Sequence, residues 1–167
     1  SKIGNYPTVA SQKGYHADKT RKTGVSILDR ISFLGIFAGT IFLVIASFIA
    51  VFGFIGSVTS SNGVDIFRSL GGFLIVFIFA IIASGFIASY ISGAEDYVDG
   101  ILNGGMVGLV FSLLDAFFII ITTMLFDVVM GIVAGIIAFF VHIIIYGPLT
   151  VAGGLVAVWL RNNMEVY

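Results

Sequence analysis

The chain has 167 residues, of which 59% are hydrophobic and 10% are charged, with a formal net charge of −1. Soluble domains usually carry about 25% charged residues, so this composition excludes a water-soluble globular fold and indicates an integral membrane protein. The chain has no cysteine, which excludes disulfides and thiolate chemistry, and the scarcity of Lys and Arg beyond its first thirty or so residues argues against nucleic-acid binding.

Residues 1–24 form a polar, basic tail without apolar periodicity, which predicts a disordered or extended segment. Six of the eight Lys and Arg residues precede the first apolar run, and such an excess predicts a cytoplasmic N-terminus. The cluster Lys19, Arg21 and Lys22 is also a candidate contact with anionic lipids, which attract each basic residue by about 1 kcal/mol.

Residues 25–167 are predicted to form an all-α, four-helix transmembrane bundle, because they contain runs longer than the ~20 apolar residues that cross a bilayer. The stretch from Ile101 to Leu160 has no Lys or Arg and predicts two long helices. Three shorter helices are the alternative, and they would move the C-terminus to the other side of the membrane. The predicted spans are about 33–57, 67–91, 101–122 and 128–160.

The last span is too long for one straight crossing of a ~30 Å hydrocarbon core. Gly147 and Pro148 predict a kink or a break there, since proline removes a helical hydrogen bond and restrains the residue before it. Trp159 and Arg161 then lie where boundary anchors are expected. Four spans place both termini on one side, which the basic tail assigns to the cytoplasm.

Small residues recur at helical spacing in every predicted span, and they predict faces on which another backbone approaches closely. Packing within the chain's own bundle is one use of such faces, and self-association or docking onto a larger membrane complex is the other. The predicted packing glycines are Gly35, Gly39, Gly85, Gly100, Gly104, Gly108, Gly131 and Gly135.

The segments Gly85 to Gly93 (GFIASYISG) and Asp99 to Leu109 (DGILNGGMVGL) carry this glycine pattern most densely. Through them the chain resembles small glycine-rich four-helix membrane proteins of unknown function that are widespread in archaea. The resemblance covers about forty residues of the second and third spans, and the basic tail is not part of it. It implies no activity, cofactor or catalytic residue.

Asp115 and His142 are the ionisable residues expected within the membrane, and both fall on small-residue faces. An intramembrane acid suggests ion or proton handling, and a neutral, hydrogen-bonded packing role is the alternative. When depth is counted from the predicted helix ends, the two residues differ in depth by about 12 Å, at 1.5 Å per residue. This difference predicts no direct contact within one protomer. Asp127 is expected to cap the fourth helix.

The sequence therefore predicts a non-enzymatic, multi-pass membrane protein that binds no metal or cofactor and touches membrane lipids. Its expected role is that of a scaffold or accessory subunit, which forms a homo-oligomer or joins a larger complex through glycine-lined faces. A small oligomeric channel that conducts protons or cations through Asp115 is the alternative.

Overall fold

The computed structural model describes residues 26–60 and 66–164. The chain divides into two units, Ser1–Arg30 and Ile31–Tyr167. In the first unit the described part is a short 3₁₀ helix, Ile27–Arg30. The predicted lipid contacts Lys19, Arg21 and Lys22 lie outside the described residues.

The described residues of the second unit form four α-helices, each long and apolar enough to cross a membrane. The predicted four-helix membrane fold is therefore confirmed, and so is the two-helix interpretation of the last sixty residues. We number the helices in chain order: α1 Phe33–Ser60, α2 Ile66–Ile91, α3 Tyr97–Met124 and α4 Val128–Met164.

Two aspartates fix the starts of α3 and α4. Asp96 accepts a hydrogen bond from the amide of Asp99 at 2.8 Å, so α3 begins four residues before the predicted position. Asp127 accepts one from the amide of Met130 at 2.8 Å, which confirms the predicted cap. A carboxylate in this position satisfies an amide that has no partner within the helix.

Helix α4 runs without interruption through Pro148, so of the predicted kink or break, the break is absent. Proline still withdraws the amide that would have bonded to the carbonyl of Ile144. The hydroxyl of Thr150 binds the carbonyls of Tyr146 and Gly147 in the same turn, at 2.9 and 3.0 Å. In a membrane the neighbouring helices and hydroxyl groups keep such a turn helical.

The bundle consists of two antiparallel hairpins, α1–α2 and α3–α4. Helix α4 packs along α3 and against α2, whereas α3 also touches α1 and α2. Over the described residues α1 and α4 do not touch. Thus α2 and α3 occupy the centre, with α1 and α4 on opposite sides.

The four helices share a core in only one half of the bundle, at the end where α2 finishes and α3 begins. We call this the closed half. Its apolar core has two clusters of buried side chains drawn from all four helices, which are Leu43, Ala80, Ile81, Phe111 and Tyr146, and Ile36, Ala88 and Val107.

The other half, where α1 ends and α2 begins, we call the open half. In α2 the buried residues begin only at Ala80, and in α3 they end at Ala116. Gly131 and Gly135 of α4 are buried here, but against α3 of their own hairpin. The described burial in the open half is therefore contact within hairpins, and it leaves most apolar side chains exposed.

Candidate functional site

Asp115 and His142 meet where the closed half gives way to the open half. The Nδ1 atom of His142 lies 2.8 Å from Oδ2 of Asp115. The prediction that these residues do not touch within one protomer was therefore wrong. Both side chains remain partly exposed, 21% for His142 and 30% for Asp115.

The register of the α3–α4 hairpin explains the error. Gly131 lies against Met124 and Gly135 against Ile120, and this register holds along the hairpin. This register places Asp115 opposite the residue two positions before His142. Along the helix axis Asp115 and His142 are therefore only about 3 Å apart, at 1.5 Å per residue. The prediction had ended α3 too early and had ignored the stagger that the glycine contacts impose.

Aromatic rings enclose the pair on the side of the closed half. The His142 ring stacks on Tyr146, with centroids 5.0 Å apart and an interplanar angle of 20°. Phe111 and Phe77 hold Tyr146 in turn, at 5.4 and 6.0 Å. The phenol of Tyr146 also interacts with the carboxyl group of Asp115. Three side chains with exchangeable protons therefore adjoin one another.

With the end of α3 placed at the boundary of the hydrocarbon core, the pair lies deep in the membrane. Asp115 is nine residues from the end of α3 at Met124, or about 14 Å along the helix. Half of a ~30 Å hydrocarbon core is about 15 Å, so the pair is near the bilayer midplane. Charged groups at this depth are expensive and are typical of functional sites.

The chemistry open to the pair is the sharing of one proton. An imidazole and a carboxyl group with one proton between them carry no net charge, either as two neutral groups or as an ion pair. Nδ1 of His142 is buried and has no aligned hydrogen bond to a described residue, so the 2.8 Å approach is a bent contact. No group of three or more potential metal ligands occurs in 26–60 and 66–164.

The eight predicted packing glycines all lie at contacts between helices of this chain. A Cβ atom at Gly104 would come within 2.5 Å of the Thr150 carbonyl oxygen, and one at Gly39 within 2.5 Å of the Ser84 carbonyl oxygen. Gly85 also approaches the Thr150 carbonyl, and Gly35 approaches that of Ala88. The remaining members of the set follow the α3–α4 hairpin.

The sequence analysis did not single out the α4 residues that pack against α2 and α3. Gly153 approaches the Ile82 carbonyl of α2, and Gly154 approaches the Gly100 carbonyl of α3. Thr150 of the same helix is fully buried, and its backbone carbonyl meets Gly85 of α2 and Gly104 of α3. The spacing of Thr150, Gly153 and Gly154 is that of one helix face, a signal available in the sequence.

Asn103 was also missed. It is 1% exposed, its Oδ1 accepts from the amide of Ser32 at 2.8 Å, and its Nδ2 donates to the carbonyl of Asp99 at 2.9 Å. It therefore ties the start of α1 to α3. A lone Asn within a glycine-rich run gives no sequence signal of this long-range bond.

Arg161, which is predicted to be an anchor at the membrane boundary, also makes contacts within the protein. Its guanidinium donates to the carbonyls of Tyr90 and Ala94, at 2.9 and 3.1 Å, and lies over the Tyr90 ring. It thereby holds the α2–α3 turn, in which Gly93 has a φ of 72°. Trp159, the second predicted anchor of this helix, is exposed.

No described protein family matches this sequence, and neither a curated protein nor a solved structure is significantly similar to it. Function must therefore be inferred from the site itself.

Proposed function

We propose that this chain is a non-enzymatic, multi-pass membrane protein that serves as a structural or accessory subunit. We further propose that it associates with a second membrane-embedded chain, a copy of itself in the simplest case, over the Asp115–His142 pair. The observation that carries the proposal is the partial exposure of this pair, 30% and 21%, near the bilayer midplane.

Lipid tails cannot hydrogen-bond, so an ionisable group that faces them at the centre of a helix costs about 2.5–3.5 kcal/mol. Mutual contact lowers this cost, but the exposed portions of Asp115 and His142 remain unfavourable toward lipid. A second helix face that covers them removes the exposure. This argument supports association at the open half.

The eight predicted packing glycines support the structural role of the protein, not its association with a second chain. Each is already in contact with a neighbouring helix of the same chain, so these glycines stabilise the protomer.

The absence of cysteine makes the test direct, because single cysteines can be introduced without background. Phe118 is exposed and lies three residues after Asp115, on the same side of α3. Oxidation of Phe118→Cys in native membranes should give a disulfide-linked dimer or an adduct with a partner protein. Phe52→Cys, equally exposed but on α1, is the matched control and should give neither.

The result that would overturn association is a chain that stays monomeric in mild detergent and in membranes, with no crosslink at Phe118→Cys. Equal crosslinking at both positions would point to random collision and would contradict a specific face as well.

A second candidate function is supported by the 2.8 Å contact between Asp115 and His142. A carboxyl group, an imidazole and the neighbouring Tyr146 can pass a proton if an oligomer supplies the aqueous path. In this case proteoliposomes of the wild type should dissipate an imposed proton or cation gradient, and Asp115→Asn should not. Wild-type liposomes without flux would exclude conduction and leave the accessory role in place.

For topology we propose that both termini are cytoplasmic, supported by the Lys and Arg excess of the tail. Phe126 lies in the α3–α4 connection and Met164 ends α4, and both are exposed. An impermeant thiol reagent on intact cells should label Phe126→Cys and spare Met164→Cys. The opposite pattern would invert the proposed orientation.

A further inference from the structure

A cleft lies on the open half, on the α1–α2 hairpin, and no residue of α3 or α4 lines it. Its volume is about 600 Å³, within the range of about 300–1,000 Å³ that is usual for ligand sites. We call it the Arg68 cleft. It differs from the Asp115–His142 site both in the helices that form it and in its chemistry.

The Arg68 cleft is polar at one end and apolar along the rest. Ser57, Ser60 and Ser69 line it near the ends of the two helices, and the hydroxyls of Ser57 and Ser69 are 2.7 Å apart. Deeper in the membrane its walls are apolar, as at Ile49 and Val76. Such a gradient matches an amphiphile with its polar group at the membrane surface.

Arg68 supplies the charge. It is exposed, lines the polar end, and has no hydrogen bond or ion pair with any residue of the described ranges. It also stands in the first turn of α2, which has no acidic residue there. The start of a helix carries partial positive charge and disfavours a cation, so an anion bound here interacts favourably with both. Asp65 directly precedes α2 in the sequence and lies outside the described residues.

The length of the cleft fits one leaflet. From Ser60 to Ile49 the α1 wall extends about 16 Å at 1.5 Å per residue, close to the 15 Å or so of hydrocarbon in one leaflet. Gly53 and Gly72 lie in the apolar part, and a Cβ atom at either would meet nothing within 4 Å. The missing side chains leave room for a chain of methylene groups.

We propose that the Arg68 cleft binds one anionic phospholipid, with its phosphate on Arg68 and the serine hydroxyls and one acyl chain along Gly53 and Gly72. Arginine binds phosphate through paired, charge-assisted hydrogen bonds, and the serines add neutral ones. A zwitterionic lipid carries its own cation beside the phosphate and satisfies Arg68 less well.

The test is native mass spectrometry of the full chain in detergent, titrated with phosphatidylglycerol or phosphatidylcholine. We expect one tightly bound phosphatidylglycerol per chain and much weaker retention of phosphatidylcholine. Arg68→Gln should weaken phosphatidylglycerol binding by about tenfold, the usual effect of losing a charged hydrogen bond. Glycerol phosphate should compete poorly, because it has no acyl chain to fill the apolar part.

A matched pair of glycine variants distinguishes an effect of filling the cleft from a general effect on helix α2. Gly72 and Gly71 are adjacent and both face open space, but only Gly72 lines the cleft. Gly72→Leu should fold and abolish retention of the lipid, whereas Gly71→Leu should bind as the wild type does. If Gly72→Leu fails to fold, the Arg68→Gln titration decides alone.

Three results would overturn the proposal. The first is equal retention of the two lipids by the wild type, and the second is unchanged phosphatidylglycerol binding by Arg68→Gln. The third is a lipid-free dimer that Gly72→Leu dissociates, because the occupant would then be a helix of a second copy.

Discussion

The closed and open halves of the bundle are built from the same kinds of residue, yet they use them in opposite ways. Gly85 and Gly153 in the closed half leave no room even for a methyl group, whereas Gly56 and Gly71 in the open half have empty space around them. The closed half supplies the contacts that hold four helices together. In the open half, Gly56, Gly71 and the Arg68 cleft lie outside any contact between the two hairpins.

The largest expected difference between the halves comes from adding one methyl group. Gly85→Ala would push a Cβ atom into the Thr150 carbonyl, so the helices must separate and the free energy of unfolding should fall by about 3 kcal/mol. Gly56→Ala should leave stability unchanged or raise it by up to about 1 kcal/mol, because alanine favours the helix. Thermal unfolding in detergent compares the two.

Equal effects of Gly85→Ala and Gly56→Ala would mean that the halves do not differ in packing. The division into a closed and an open half would then be untenable.

The next largest effect is expected at Asn103 in the closed half. Asn103→Leu keeps the number of side-chain heavy atoms but leaves the amide of Ser32 without its partner, which should cost about 2 kcal/mol. Thr122→Val in α3 is the control, because the Thr122 hydroxyl binds only carbonyls of its own helix. Its loss should change the unfolding free energy by less than about 0.5 kcal/mol.

A smaller effect is expected at the boundary between the halves. Asp115→Asn, His142→Gln and the double variant form a thermodynamic cycle, and their contact predicts a coupling energy of about 1 kcal/mol. The cycle is measured from unfolding in the same detergent. Additive effects would show that the two side chains do not interact in the membrane.

The smallest effect is expected at the turn of the closed half. Arg161→Lys keeps the charge but cannot reach the carbonyls of Tyr90 and Ala94 as a planar guanidinium does. We expect a loss of about 0.5 kcal/mol. Hydrogen exchange should accelerate in the α2–α3 turn and stay unchanged in the α3–α4 connection, and acceleration at both would argue against a local role.

The sequence was sufficient for the four helices, because hydrocarbon admits long apolar helices and little else. The starts at Phe33 and Val128 and the end at Ile91 fall where composition changes. Helix α3 began earlier than predicted because its cap at Asp96 lies inside a stretch that composition alone assigns to a loop.

The site was less accessible to sequence analysis, because it depends on how the helices are staggered. Asp115 and His142 meet only in the register that Gly131 and Gly135 impose on the α3–α4 hairpin. The division into halves was equally hidden. Gly71 and Gly72 lie in an apolar span as Gly104 and Gly108 do, but the positions of the neighbouring helices make the first pair open and the second crowded.

The length of helix α4 has a mechanical consequence. Its 37 residues form a continuous rod of about 55 Å, and even a tilt of about 40° leaves it some 12 Å taller than a 30 Å hydrocarbon core. One end is capped by Asp127 and the other is fastened through Arg161 to the α2–α3 turn. A bilayer that grows thicker or thinner favours a different tilt of this helix, and the α2–α3 turn that is fastened to it moves with it.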